Sequence, residues 1–212
     1  MVAPEKRFPV TGSGPAYEMY VWGLRLAALA AVIIISTITY TYCFNIYHDR
    51  EQSLMETFGC VNKAIAEAGA PHWLTHGSLL GAERLSHFIM WDGDIDISVL
   101  VEKMSNIFPI VAKIEQMCQL TTTDRSTVAT ADEPGSWRLC TSRTCVVLYE
   151  YLNQPEGMML SQYGEEDQSV TLPLTKCSIS GVEASCPREK EPILRRVFGE
   201  NWRTDRLTSL FH

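Results

Sequence analysis

"IMWDGDIDISVL", residues 89–100, sets three aspartates at every second position of an otherwise apolar stretch. On a β-strand, successive side chains alternate faces, so Asp92, Asp94 and Asp96 crowd onto one side. Ile95, Ile97 and Val99 then point the other way, into a core. Like charges on one face repel, and something cationic has to offset them. An EF-hand loop needs glycine at its sixth position and glutamate at its twelfth. Counted from Asp92, those places hold Ile97 and Lys103, which excludes it. An acidic turn accounts for "WDGD" but not for the alternation that continues to Val99. The reading with chemical content is a Mg²⁺ or Mn²⁺ site, since hard divalent cations prefer carboxylate oxygens and alternate strand residues can share one ion.

Just upstream, "THGSLLG" at 75–81 reads as a strand end, a Gly-Ser turn and a helix start. Backbone N–H groups at a helix N-terminus bind phosphate, and Gly77 lets a ligand approach the chain closely. The spacing of a P-loop is absent. Paired with an aspartate strand, the turn forms a phosphate-and-metal constellation in which Gly77 and Ser78 hold phosphate.

Outward from that centre, Asp49 to Ala68 carries apolar residues at helical spacing and stops at Gly69 and Pro71. "HWLTHG" is a short strand, and Ser78 is placed to cap a helix over "LLGAERLS". "VEKMSNIFPIVAKIEQMCQL" is a second long helix, and "TTTDRSTVATADEPGS" a loop or irregular hairpin. "SWRLCTSRTCVVLYEYL" contains two strands, "MMLSQYG" and "SVTLPLTKCSI" two more, and "PREKEPILRRVFGENW" a closing helix ended at Gly199. Helices first and paired strands afterwards predict an α+β domain around a mixed sheet.

The N-terminal region differs in kind. Leu26 to Phe44 contains no charge and is long enough to span a bilayer, with Tyr17, Tyr20, Trp22, Tyr40 and Tyr42 near its ends. Lys6, Arg7 and Arg25 precede it, which predicts a single-pass type II anchor with a short cytosolic tail. The expected organisation is a tail over 1–25, a span over 26–44, a lumenal stem helix over 45–70, a domain over 71–205 and a tail over 206–212. Cys43 lies at the end of the span. Six further cysteines predict up to three disulfides in an oxidising lumen, with Cys140/Cys145 and Cys177/Cys186 as local pairs. The formal net charge of −7 argues against a nucleic-acid partner.

The stretch "HWLTHGSLLGAERLSHFIMWDGDIDISV" resembles the signature of the LicD family, which includes fukutin and fukutin-related protein. That signature runs Trp-Leu-x-x-Gly-(Ser/Thr)-Leu-Leu-Gly-x-x-Arg, a spacer, then Phe-Ile-Pro-Trp-Asp-x-Asp-(Ile/Val)-Asp. Trp73, Leu74, Gly77, Ser78, Leu79, Leu80, Gly81, Arg84, Phe88, Ile89, Trp91, Asp92, Asp94, Ile95 and Asp96 fit it. A looser likeness reaches Pro187, Phe198, Gly199 and Trp202.

The resemblance implies a nucleotidyltransferase-like fold and metal-dependent transfer of phosphocholine or ribitol phosphate from a CDP-linked donor to a glycan or glycoprotein. It also implies a Golgi or ER membrane location. Asp94 and Asp96 are the expected metal ligands, with Asp92 a further ligand or a base. Arg84 is expected on phosphate or in a structural ion pair, and Trp91 in the core or as a wall of the site. Two positions depart from the family, Met90 for proline and Gly93 for the frequent aspartate. A later strand, where relatives carry another aspartate, aligns Val147 there, while Glu150 faces away by alternation. The alternative left open is a catalytically weakened homologue that binds a glycan or a partner.

Overall fold

A computed structural model describes residues 15–89, 91–103, 106–126 and 134–205. Met90, Lys6, Arg7 and the 206–212 tail therefore lie outside the described residues. The chain divides into two units, residues 1–47 and 48–212. Helix α1 (Pro15–Glu67) contributes to both, so the expected span and stem are one uninterrupted helix. No proline falls between Pro15 and Glu67 to break it. It ends where Gly69 adopts a φ of +74°, a conformation that costs glycine nothing. Within α1 lies a stretch long and apolar enough to cross a membrane, and its apolar side chains, among them Val32, Ile35 and Ile38, are exposed.

In the second unit the C-terminal part of α1 is amphipathic. Leu54, Phe58, Val61, Ala64 and Ile65 recur on one face, and all are buried in the core. They belong to the domain's hydrophobic centre rather than to a detached stem.

That core packs against a mixed sheet of seven strands: β1 (His72–Leu74), β2 (Asp94–Val101), β3 (Thr121–Ser126), β4 (Ser136–Cys140), β5 (Cys145–Gln154), β6 (Met158–Ser161) and β7 (Gly164–Asp167). The main path is β1-β2-β5-β4-β3, and β6 and β7 continue from the far end of β5. Among the described residues only β2 and β5 run parallel; the other pairs are antiparallel. The predicted α+β class with a mixed sheet is what forms. β2 is central, and every residue from Ile95 to Val101 is buried. The expected two-faced strand is open to solvent only at its start, because both sides are covered further along.

Helices α2 (His76–Arg84), α3 (Ile107–Cys118), α4 (Gln168–Thr171) and α5 (Lys190–Phe198) and a β8–β9 hairpin (Thr175–Ile179, Val182–Cys186) complete the unit. Helix α2 begins two residues before the position assigned to Ser78 as its cap, with Thr75 at the N-cap and no side-chain cap bond. The stretch "TTTDRSTVATADEPGS" supplies β3 and the first residue of β4, and its middle, 127–133, lies outside the described residues. "SVTLPLTKCSI" does not form one strand. Its start belongs to α4, where the Asp167 carboxylate accepts from the Ser169 N–H at 2.8 Å, a local bond that favours a helical turn.

Both expected local disulfides form, and Cys60–Cys118 ties α1 to the end of α3. Cys140–Cys145 closes the β4–β5 hairpin. Cys43 stays a free thiol, exposed on α1.

Candidate active site

The three aspartates converge, by a route slightly different from the one their spacing predicts. Asp94 and Asp96 occupy the first and third positions of β2, whereas Asp92 lies in the turn before it. That turn is held by the Asp92 N–H donating to Ile89 O at 3.1 Å and by Arg50 Nη2 donating to Asp92 O at 3.2 Å. One carboxylate oxygen from each aspartate lies within 4.8 Å of the others. They open into a cavity of about 430 Å³, which Arg138, Val147, Tyr149 and Tyr163 also line.

Asp96 is the buried anchor. Its Oδ2 accepts from the Gly77 N–H at 2.9 Å and its Oδ1 from the Tyr149 hydroxyl at 3.3 Å. Burial, and then the negative charge of Asp94, push its carboxyl up to about 7 against those two donors. Burial and the neighbouring Asp94 and Asp96 carboxyls push Asp92 up to about 8. Crowded acids of this kind hold protons until a cation replaces them. Three hard oxygen donors within reach of one point, two of them reluctant to ionise alone, fit a Mg²⁺ or Mn²⁺ ion.

Gly77 has a steric task here. A Cβ at this position would overlap Asp92 Oδ2 and come within 3.1 Å of Asp96 Oδ2. The turn before α2 therefore serves the carboxylates, with the Gly77 N–H spent on Asp96. Ser78 differs more sharply from expectation. It is buried, and its Oγ accepts from the Asp96 N–H at 2.9 Å, fastening α2 to β2 instead of facing a phosphate. Arg84 is likewise placed elsewhere: its Nη1 donates to the carbonyls of Trp202 and Asp205, each at 3.0 Å, and clamps the segment after α5. Trp91 is half exposed and is neither core nor a wall of the cavity.

Among the three histidines near the motif, only His76 lines the cavity. It stacks on Tyr149 with ring centroids 4.1 Å apart, and the Tyr163 ring lies 5.2 Å from it. Burial and the charge of Arg196 push its imidazole down to about 4, so it is neutral at physiological pH. Its φ of +42° is a left-handed conformation rare for a residue with a Cβ, stored where α2 meets the site. His72 is held by Ala70 O and Asn62 Oδ1, and His87 pairs with Glu51 at 2.7 Å.

Sequence reasoning missed the cation it asked for. Arg138 Nη1 lies 2.8 Å from Asp94 Oδ2, reaching over from β4. Strand register brings it there: Asp96 pairs with Val147, and Val147 with Arg138. The alternation in "SWRLC" was the available signal, but it does not say which strand lies opposite. Val147 faces the cavity as aligned. Glu150 points to the other side, where its carboxylate accepts from Trp137 Nε1 at 2.5 Å and the Gly135 N–H at 2.8 Å.

Ribitol 5-phosphate transferase FKRP from Mus musculus and from Homo sapiens are each 40% identical to the chain over 55 residues, 26% of this chain. The match spans 11% of the length of those relatives. A family model described as "LicD/FKTN/FKRP, nucleotidyltransferase domain" matches residues 69–189, which include α2, the aspartate cluster and the β4–β5 hairpin. Over half its length and across every strand that lines the cavity, the chain belongs to the LicD/FKTN/FKRP nucleotidyltransferase-domain family.

Proposed function

We propose that the domain transfers a phospho-alcohol group, of the phosphocholine or ribitol-phosphate kind, from a CDP-linked donor to a glycan or glycoprotein, releasing CMP. The observation that carries this reading is the convergence of Asp92, Asp94 and Asp96 in one cavity of a family whose named relatives transfer ribitol 5-phosphate. A mixed sheet with carboxylates at the start of a central strand, beside a helix N-terminus, supports a nucleotidyltransferase-like arrangement. The three aspartates would hold Mg²⁺ or Mn²⁺, which when bound neutralises charge developing on the transferring and leaving oxygens. The chain's own groups prepare the rest. The Gly77 N–H and Tyr149 hydroxyl aim Asp96, and the Cβ-less backbone of Gly77 lets Asp92 close in beside it. The acceptor hydroxyl oxygen bonds to the donor's β-phosphorus and gives up its proton to water while the bond to the bridging oxygen breaks, and CMP leaves with that electron pair.

The direct test is CMP release from a panel of CDP-alcohols with Mn²⁺ or Mg²⁺ and a glycan acceptor. Release from one donor, lost on chelation, is expected; no release from any donor together with no metal binding sinks the reading. One observation favours a second, non-catalytic reading, namely that Val147 offers no carboxylate where it lines the site.

The apolar N-terminal helix and three disulfides support a single-pass type II protein of the Golgi or ER membrane with this domain in the lumen. In sealed microsomes a C-terminal tag beyond His212 is expected to resist protease until detergent is added. Digestion without detergent reverses the topology.

A further inference from the structure

Asp92, Asp94 and Asp96 cluster in the cavity, and one divalent ion leaves that triad with one negative charge uncompensated. Arg138 supplies the matching positive charge. Its guanidinium contacts Asp94 at 2.8 Å, while its side chain remains 44% exposed and lines the same cavity. On the side of the sheet where a second ion would need another anionic ligand, the register row reads Asp96, Val147, Arg138. Val147 provides no oxygen. Tyr149, two residues along β5, already donates to Asp96. Asp124, exposed and in register with Arg138 on β3, also lines the cavity, but Arg138 on β4 lies between its strand and that of Asp94. A second cation entering between Asp94 and Asp124 meets Arg138 first.

Resting on the transfer reading above, we propose that this is a one-ion site in which Arg138 serves as the second positive charge, bridging Asp94 and a phosphate oxygen of the donor. The planar fork of a guanidinium suits this double duty, with one edge on a carboxylate and the other turned to phosphate. A fixed arginine cannot dissociate, so the charge it brings is independent of metal concentration. Asp94 would then be shared, its Oδ2 against Arg138 while its carboxylate helps the triad hold the ion.

The test uses the full chain in detergent, titrated calorimetrically with Mn²⁺ and then, in saturating Mn²⁺, with CDP. Wild type is expected to bind one Mn²⁺. Arg138→Gln is expected to keep or tighten Mn²⁺ binding, because a competing cation is removed, yet to weaken CDP by about tenfold. Arg138→Lys, which keeps the charge but loses the fork, is expected to lie between the two for CDP. Thermal melts of each variant report that the domain is folded. Two Mn²⁺ ions in wild type overturn the one-ion site, and weaker Mn²⁺ binding by Arg138→Gln reduces Arg138 to a prop for Asp94. An unchanged CDP affinity overturns its phosphate role. Each of these failures leaves the transfer reading standing. No Mn²⁺ binding by wild type overturns that reading and this one together.

Discussion

Asp96→Asn is expected to lower transfer by roughly a thousandfold or more while the domain stays folded. An amide keeps the shape of the side chain, and its oxygen still accepts from the Gly77 N–H, but it lacks the charge that holds a divalent cation. The double variant Asp94→Asn/Asp96→Asn, if it transferred at the wild-type rate, would refute the metal role outright.

Without metal the same substitution is expected to stabilise, and the effect has a pH signature. Asp96 titrates near 7 in the fold against an ordinary value of 3.8, so between those limits the native state keeps a proton that the unfolded chain has released. Stability of the chelated protein therefore falls as pH rises from about 4 to about 7, by up to about 1.4 kcal/mol per pH unit for this group. Asp92 extends the decline to about 8. Melting temperatures in EDTA should drop across this window in wild type and drop less in Asp96→Asn. Added Mn²⁺ should restore wild type at pH 8 and leave the variant largely unmoved, since an ion that binds only the native state stabilises it. A flat wild-type profile in EDTA would mean that the carboxyls are not crowded in solution.

Val147→Asp is expected to act in the opposite direction, as a gain. Val147 is buried at the cavity wall, in register with Asp96 on one side and Arg138 on the other. Neighbouring strands lie about 4.8 Å apart, so a carboxylate there comes within reach of an ion held by the triad. Each added anionic oxygen strengthens the hold on a hard cation. Mn²⁺ affinity should rise by about tenfold, and transfer should quicken if ion binding limits it. The cost appears only without metal, where another carboxylate at a buried position is expected to destabilise by about 1–3 kcal/mol at neutral pH. Arg138 offsets part of that. Unchanged Mn²⁺ affinity in a folded Val147→Asp protein would show that position 147 is wall and nothing more. Glu150 cannot stand in for it, because its carboxylate is spent on Trp137 and Gly135 on the opposite face.

The sequence by itself determined whatever depends on local period. Alternation in 94–99 placed Asp94 and Asp96 together and Ile95, Ile97 and Val99 in the core, and the same rule sent Val147 and Glu150 to opposite faces, while Asp92 joins from the turn before β2. The uncharged run before residue 45 required a long apolar helix, and short cysteine spacings gave two of the three disulfides. Tertiary structure decided everything that turns on which strand lies beside which. Ser78 and Arg84 carry the right chemistry for phosphate, but the Asp96 N–H and the carbonyls of Trp202 and Asp205 claim them first. Arg138, 44 residues from Asp94 in the chain, becomes its counter-charge only through the β2-β5-β4 ladder. A side chain's face follows from the geometry of its own few residues. Its partner depends on hydrogen bonding between distant segments, whose register is set by the packing of the whole core.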